Sequence, residues 1–304
     1  MRLFKKTTID FMGKRNTMYA ASALVILIGL VSLFLKGIEY GIDFRGGTEL
    51  VLSFHQRVEV GAIRDALGKV GLAQSEIKSF GAAEDVLIRT TEHGEGTIVG
   101  DKIKKAIQES LPNVSFDVLK EDKIGPKIGA ELRRDALYAV IASLIAIMAY
   151  IGIRFKFIYG VGAVVALFHD VLVTLGVLSI LNGVIPGLNL EITQEVVAAF
   201  LTLVGVSVND TVVVFDRIRE NLKIYRSMSL FEIMNKSLND TLSRTIITSG
   251  TIFVVLVTLL LTGGEVTRGF AFTLTVGILT GTYSSIYIAS AIVIDWTLRR
   301  KKPS

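Results

Sequence analysis

Apolar runs of membrane-spanning length recur along this chain, separated by short polar stretches and by one long one. A transmembrane α-helix needs about 20 consecutive, mainly apolar residues. The pattern therefore predicts six transmembrane helices, at residues 16–35, 135–153, 157–182, 192–215, 245–264 and 269–294. The first run is longer than a signal-peptide core of about 7 to 15 residues, so we expect it to be an uncleaved helix.

The long polar stretch, residues 36–134, has the composition of a water-soluble domain. Strand-like runs occur at residues 48–54, 76–80, 85–90 and 114–119, and helical patterns at residues 58–70 and 97–110. The order βαββαβ is that of a ferredoxin-like unit, in which two helices cover one apolar face of a sheet. The predicted fold is thus an α-helical polytopic membrane protein with six transmembrane helices and one extracytoplasmic α+β ferredoxin-like domain.

Lysine and arginine are concentrated in the segments that would lie on one side of the membrane. These segments hold five, two, six and four of them, at residues 1–15, 154–156, 216–244 and 295–304. The short loops on the other side hold only Arg268. Because basic residues collect in short cytoplasmic loops, we expect the N-terminal segment, the long connection between the fourth and fifth spans and the C-terminal segment in the cytoplasm. The domain between the first two spans is expected outside.

The overall composition agrees with a membrane protein and argues against several other classes. Of the 304 residues, 51% are hydrophobic, and the mean hydropathy is +0.55, which is too apolar for an ordinary soluble domain. The cytoplasmic segments account for the net charge of +5, so we expect no nucleic-acid partner. With no cysteine and three scattered histidines, the sequence predicts neither a metal site nor a cofactor. It shows no set of nucleophile, base and acid, so we expect no enzymatic activity.

Asp210 is the residue of the predicted spans that most needs a function. It lies ~27 Å along the fourth helix, and an acid in hydrocarbon costs roughly 2.5 kcal/mol or more. Arg244 opens the fifth span from the cytoplasmic side, so the two residues would lie at similar depth. If Arg244 approached and left the carboxylate, Asp210 would release and bind a proton in turn, with Asn209 beside it. The structural alternatives are a static Asp–Arg pair and an acid that reaches toward the inner interface.

His169 and Asp170 form a second polar interruption, about 12 residues into the third span and near mid-membrane by helix geometry. They could extend a proton path, or they could accept hydrogen bonds from serines and threonines of the sixth span. Alternatively, Asp170 is a protonated acid that bonds to a neighbouring backbone carbonyl.

Glycines mark two further positions of interest. Gly277 and Gly281, in the sixth span, form a small-xxx-small pattern that predicts close helix packing. Gly46 and Gly47 precede the first predicted strand, and because no P-loop lysine accompanies them, they predict a tight turn and no phosphate site.

These motifs together resemble the SecD/SecF family, which is part of the resistance-nodulation-division (RND) superfamily. The resemblance covers essentially the full length. It rests on GIDFRGGT after the first span, the His169-Asp170 pair, GVSVNDTVVVFDRIREN in the fourth span and SLNDTLSRTIITSGT at the start of the fifth. It implies that Asp210 is the family's membrane-embedded acid and Arg244 its essential arginine, both linked to proton-driven action. It also implies that the six helices are one half of an RND-type machine.

The resemblance further implies a function, a location and partners. The expected function is that of an accessory subunit of the Sec protein-export machinery in the bacterial cytoplasmic (inner) membrane. There the proton-motive force, with H⁺ or Na⁺ as the coupling ion, would promote late-stage preprotein translocation. The expected partners are a SecD-like subunit, a SecYEG-type translocon, YajC-type and YidC-type subunits, the unfolded preprotein and the lipid bilayer. Two other interpretations stay open: half of an RND-type small-molecule or lipid exporter, and a non-transporting scaffold of a membrane complex.

Overall fold

The chain folds into two units of different character. The computed structural model describes residues 7–92, 94, 97–155, 157–185 and 188–301. The helical unit comprises the described parts of residues 1–38, 139–182 and 195–304. The sheet unit comprises the described parts of residues 39–138 and 183–194.

The secondary structure agrees with the predicted fold class. In chain order the elements are α1 (Arg15–Lys36), α2 (Ile42–Arg45), β1 (Gly47–Phe54), α3 (Val60–Gly68), β2 (Glu76–Phe80), β3 (Ala82–Thr90), α4 (Ile98–Ser110), β4 (Phe116–Ile124), α5 (Pro126–Arg154), α6 (Phe157–Leu181), α7 (Gln194–Ile224), α8 (Leu230–Thr262), α9 (Glu265–Ser284), a π-helical turn (Ser285–Ala289) and α10 (Ser290–Lys301). Six helices of the described chain are long and apolar enough to cross a membrane: α1, α5, α6, α7, α8 and the composite of α9, the π turn and α10. The prediction of a multi-pass helical membrane protein is therefore confirmed.

Aromatic and aliphatic side chains fill the core of the helical unit. Phe215 of α7 is fully buried, and its ring meets that of Tyr159 of α6 edge-on, with 4.9 Å between ring centres. The same cluster buries Met12, Ile151 and Met234 completely. By contrast, α1, α5 and α8 leave most of their apolar surface exposed, as expected for helices that face lipid or another apolar helix.

Small residues bring α1 and α6 into close contact. A Cβ atom at Gly29 would lie only 2.9 Å from the Cα atom of Gly176. The hydroxyls of Ser32 and Ser179 are 2.9 Å apart across the same pair of helices. Glycine and serine at such a crossing let backbones approach and let hydroxyls bond between helices.

The sheet unit has the ferredoxin-like topology expected from the sequence. Its strands are antiparallel and lie in the order β2-β3-β1-β4. Leu50 and Leu52 of β1 and Ile88 of β3 form an apolar core with Ile63 of α3 and Ile103 of α4. The helices therefore cover one face of the sheet. At the start of β1, Gly46 and Gly47 have φ of 74° and 130°, which explains the glycine pair as a tight turn after the single turn of α2.

The structure differs from the sequence-based expectations at several places. The helix that contains the second predicted span, α5, begins at Pro126 and not at residue 135. The last strand covers Phe116–Ile124 instead of residues 114–119, because the charged run at its end is paired along its length with β1. The connection 216–244 is mostly helical, and a capping box of Ser229 and Glu232 starts α8. The sheet unit also includes the described part of residues 183–194, for which the sequence predicts a short loop and the start of the fourth span.

Candidate functional site

Asp210 is buried in the helical unit and is bonded by a neutral donor. Its Oδ2 accepts a hydrogen bond of 2.9 Å from the Oγ of Ser249 on α8. The Oγ1 of Thr282, on α9, donates in turn to Ser249 Oγ at 2.9 Å. Three helices thus meet around this carboxylate, and each contributes one polar side chain.

Asp170 lies at a second meeting point and is 0% exposed. Its Oδ2 accepts hydrogen bonds from Ser207 Oγ of α7 at 2.7 Å and from Ser284 Oγ of α9 at 2.8 Å. Its Oδ1 is 3.0 Å from Nδ1 of His169. One of the alternatives predicted for this pair is a hydrogen bond from a serine or threonine of the sixth span, and Ser284 makes such a bond. These bonds come from side chains, unlike the alternative in which Asp170 bonds to a backbone carbonyl.

A row of hydrogen bonds runs from the carbonyl oxygen of Met18 through Tyr283 and Ser22 to His169, and its donors and acceptors follow from the Met18 end. Tyr283 OH lies 2.8 Å from the carbonyl oxygen of Met18, which can only accept, so the phenol proton is donated there. Ser22 Oγ, 2.9 Å from Tyr283 OH, must therefore donate to that oxygen. Ser22 consequently accepts from Nε2 of His169 at 3.0 Å, and this ring nitrogen carries a hydrogen.

This order leaves one proton to be shared by His169 and Asp170. With a hydrogen on Nε2, a neutral imidazole offers Nδ1 only as an acceptor, and Asp170 Oδ1 must then carry a proton to donate. The other possibility is an imidazolium that donates from both nitrogens to an ionised Asp170. In both cases the pair holds one proton more than a neutral histidine beside an ionised carboxylate. Ring stacking of His169 on Tyr283, with centres 5.8 Å apart, fixes the imidazole plane.

Close packing of α9 against α7 joins the two acids in one region. A Cβ atom at Gly277 would lie 2.7 Å from the side chain of Leu203, and one at Gly281 would lie 3.1 Å from Ser207 Cβ and 3.6 Å from Asp170 Oδ2. Ser207 and Asp210 are one turn apart on α7. The space that Asp210 shares with these glycines is too narrow to hold a water molecule. The predicted packing role of the glycines thus has a concrete basis in these distances.

A π-helical turn follows Ser284 directly. It covers Ser285–Ala289, and Ser290 Oγ donates to the carbonyl oxygen of Ser285 at 2.9 Å. Such turns interrupt α-helices frequently at functional sites. Here the turn lies next to a residue that bonds to Asp170.

Two of the residues singled out in the sequence are placed differently from the expectation. Arg244 is exposed on α8 and makes no ion pair with Asp210 in the described chain. Because Arg244 and Ser249 are five residues apart, they point about 140° away from each other around α8, and Ser249 occupies the position next to the acid. Asn209 is exposed on α7, since it lies about 100° around the helix from Asp210.

Sequence reasoning missed several polar partners of the site. They are Ser22, Ser207, Ser249, Thr282 and Tyr283. Single hydroxyl residues are common in membrane helices and give no periodic signal. Only their spacing relative to the acids could have indicated them, and that spacing becomes meaningful once the helix neighbours are known.

Comparison with known proteins places this architecture in a family. The family model described as "Protein export membrane protein SecD/SecF, C-terminal" matches residues 102–299, and that of the "SecD/SecF GG Motif" matches residues 31–57. The Protein translocase subunit SecF of Rhodothermus marinus is 47% identical over 299 residues, which cover 98% of this chain and 96% of that protein. The SecF of Escherichia coli O157:H7 is 37% identical over 295 residues, with 96% and 89% covered.

Solved structures agree with the sequence relatives. The crystal structure of SecDF from Thermus thermophilus, a translocon-associated membrane protein, superposes with a TM-score of 0.84 at 37% identity, and the match covers 96% of this chain. SecDF in a super-membrane-facing form gives a TM-score of 0.71 at 37% identity over 99% of this chain. The match covers only 39% and 40% of those longer chains. From the family models, the near full-length relatives and this fold, we conclude that the chain belongs to the SecD/SecF family of protein-export membrane proteins.

Proposed function

We propose that this chain is an accessory subunit of the Sec protein-export machinery and that it uses the proton-motive force to promote late-stage preprotein translocation. Support comes from relatives named Protein translocase subunit SecF and from a translocon-associated structural relative. On this proposal the chain works with a SecD-like subunit beside a SecYEG-type translocon, with YajC-type and YidC-type subunits as further partners. The unfolded preprotein is the substrate. The protein lies in the cytoplasmic (inner) membrane with both termini in the cytoplasm, as the distribution of basic residues favours.

The observation that carries the proposal is the presence of two buried acids on either side of the contact between α7 and α9. Asp170 shares a proton with His169, and Asp210 is bonded by the Ser249 hydroxyl. Buried acids inside membrane helices are costly and typically mark ion pathways. A pair that holds an extra proton, close to a second acid, is suited to taking up and releasing protons.

A switch of Asp210 between two partners would couple this chemistry to motion. In the present arrangement, the carboxylate accepts from Ser249, a neutral donor. A shift of α8 that exchanged Ser249 for Arg244 would favour the ionised carboxylate and release a proton. The return of Ser249 would favour proton uptake. A carboxylate also binds Na⁺, so the same exchange could run on either ion.

The exposure of Asn209 and Arg244 supports a partner that completes the ion path. Both polar side chains lie on the surface of helices that are long and apolar enough to cross a membrane. Polar groups facing hydrocarbon are unfavourable, whereas a second helical half would cover them. The SecD-like subunit is the proposed source of that half.

The proposal is tested by a substitution that removes the charge of Asp210 but keeps the shape of its side chain. In membrane vesicles that contain the complete complex and an imposed gradient, Asp210→Asn is expected to insert and assemble but to lose gradient-dependent completion of export. The matched control is Asp216→Asn, an exposed acid on the same helix, which should export normally. Normal export by Asp210→Asn would favour a non-transporting scaffold. Intact assembly without any translocon subunit would favour a small-molecule or lipid exporter.

A further inference from the structure

The segment between α6 and α7 is part of the sheet unit. Residues 183–185 and 188–194 belong to it, and Glu191 within this segment is 3% exposed. Its Oε2 accepts a hydrogen bond of 2.6 Å from Arg89 Nη1, and its Oε1 accepts one of 3.0 Å from Lys78 Nζ. Both basic residues lie on strands of the sheet. The segment is therefore bonded to the sheet by its side chains.

These contacts lie on the sheet face opposite the two helices. Along β1, Leu50 and Leu52 point to the helices, so Glu49 and Val51 point to the other face, because side chains alternate along a strand. Arg89 of β3 is the register partner of Glu49 and shares that face. A face without helices in an antiparallel sheet is commonly open to water. Here Glu49, Val51 and Arg89 are at most 6% exposed, so this face is covered.

The buried charges on this face all have partners of opposite charge. Arg89 also bonds to Glu49 at 2.6 Å, and Lys120 bonds to Glu49 at 3.2 Å. Burial pushes the pKa of Glu191 up, but the charges of Arg89 and Lys78 outweigh it and hold that pKa below its ordinary value of 4.5. A buried charge network adds little net stability, yet it penalises any arrangement that separates its members. It therefore fixes the position of the segment.

Backbone hydrogen bonds and a side-chain cap also join the end of this segment, up to the first residue of α7, to the sheet unit. Ile192 N donates to the carbonyl oxygen of Glu39 at 2.8 Å, and Gly41 N donates to that of Ile192 at 2.9 Å. Two residues later, Gln194 N at the start of α7 donates to Asp43 Oδ2 at 3.0 Å. A carboxylate that accepts from a first-turn N–H caps a helix and interacts favourably with its dipole. The start of α7 is thus held by residues of the sheet unit.

We infer that Glu191, Arg89 and Asp43 are positioning residues that fasten the start of α7 to the sheet unit, so that a shift of this helix is passed to the sheet unit. The helix is continuous from Gln194 to Ile224 and also carries Asp210. The distance along it from Gln194 to Asp210 is ~24 Å, and rigid secondary-structure elements carry energetic coupling between sites this far apart. This inference rests on the proposed function, because it assigns the route from the buried acid to the outer domain.

The attachment of the start of α7 to the sheet unit can be weakened by substitutions and then restored by a disulfide bond. The variant Asp43→Ala/Glu191→Gln removes the cap and one charge of the network and leaves Arg89 paired with Glu49. Gly41→Cys/Thr193→Cys supplies the bond: a Cβ atom at Gly41 would lie 3.6 Å from Thr193 Cα and 2.7 Å from its Cγ2, which suits a disulfide between adjacent Cβ atoms. The chain has no other cysteine. Asp43→Asn is the conservative control, because asparagine also caps helices.

The readout is gradient-dependent export by the complete complex, normalised to the amount assembled. We expect gradient-dependent export by the weakened variant to fall about fivefold or more, which is the lower end of the fold-changes that typical coupling free energies produce. Asp43→Asn should retain export. Adding the two cysteines should restore export under oxidising conditions, and reduction should remove the rescue. In the otherwise unchanged chain, the disulfide should leave export unaffected, because the fastened contact stays closed throughout the cycle.

The outcomes separate this inference from the proposed function. If Asp210→Asn abolishes gradient-dependent export but the weakened variant exports normally, the fastening role is wrong and the proposed function stands. The fastening role is equally overturned if the disulfide fails to restore export, or if it inhibits the unchanged chain. If Asp210→Asn exports normally, the proposed function itself fails.

Discussion

The hydroxyl of Ser249 donates a hydrogen bond of 2.9 Å to the carboxylate of Asp210. This contact defines the present arrangement of the site, because it leaves Arg244 outside. Ser249 is thus the neutral donor in the exchange with Arg244 that forms the main step of the proposed cycle.

Ser249→Ala removes the neutral donor and leaves Asp210 with one bond fewer. A hydrogen bond to a charged group contributes about 1.5–3 kcal/mol, and leaving a buried acceptor without its donor costs about 1–3 kcal/mol, so we expect gradient-dependent export to fall roughly tenfold or more. Ser249→Thr keeps a hydroxyl and should retain most of the activity. The measurement is the rate of export completion in vesicles at equal amounts of assembled complex. Equal rates for Ser249→Ala and the unchanged chain would show that this contact has no part in the cycle.

Tyr283→Phe tests the proton shared by His169 and Asp170. Without the phenol, Ser22 no longer has to donate to Tyr283 and can donate to His169 Nε2 instead. The hydrogen on that nitrogen is then no longer required, and we expect the infrared signal of a carboxylic acid or of a doubly protonated imidazole to weaken. Tyr287→Phe is the control, since Tyr287 packs against Tyr283 with ring centres 5.3 Å apart. The same loss in both variants would contradict the direction assigned to the hydrogen bonds around His169.

Gly281→Ala tests the close approach of α9 to α7. The added methyl would lie 3.1 Å from Ser207 Cβ, and overpacking of this kind costs typically about 1–3 kcal/mol. We expect a lower unfolding temperature in detergent and weaker export. Gly205→Ala, on α7, is the matched control, because its Cβ would meet nothing within 4 Å. If the two variants unfold at the same temperature, the close contact between α9 and α7 does not limit stability.

Acidification should loosen the segment 183–194 before it affects the rest of the sheet unit. The pKa of Glu191 is lower in the folded protein than its ordinary value of 4.5. Its carboxylate therefore contributes stability at pH values above about 4.5, and this contribution is lost as the pH falls through the lower folded value. Hydrogen exchange of the backbone amides of this segment, corrected for intrinsic rates, should show falling protection. Glu191→Gln should start from lower protection and show a weaker pH dependence; an unchanged pH dependence would contradict the role of Glu191.

The main elements could be predicted because they depend on patterns that local sequence carries. Length and apolarity predict the six spans, and the alternation around Leu50 and Ile88 predicts the sheet. The glycines of α9 could be recognised from their spacing, although their partner α7 could not. These predictions need no knowledge of which elements are neighbours.

The remaining features depend on contacts between distant parts of the chain. The hydrogen bond from Ser249 to Asp210 depends on the rotation of α8, and a difference of five residues is enough to place Ser249, and not Arg244, beside the acid. Glu191 looks in the sequence like an acid near the start of a span, because its partner Arg89 is 102 positions away. A single sequence gives no signal for such a pairing.

The role of Asp210 in ion coupling is tested most sharply by measuring ion flow and export together. In proteoliposomes with the complete complex, a pH-sensitive dye would report proton movement while a preprotein is exported under an imposed gradient. We predict preprotein-dependent proton flow with the unchanged chain and with Asp216→Asn, and neither flow nor gradient-dependent export with Asp210→Asn. If Na⁺ flows in place of protons and this flow also requires Asp210, the coupling ion is Na⁺ and the role of Asp210 stands. Undiminished proton flow and export in Asp210→Asn would contradict that role.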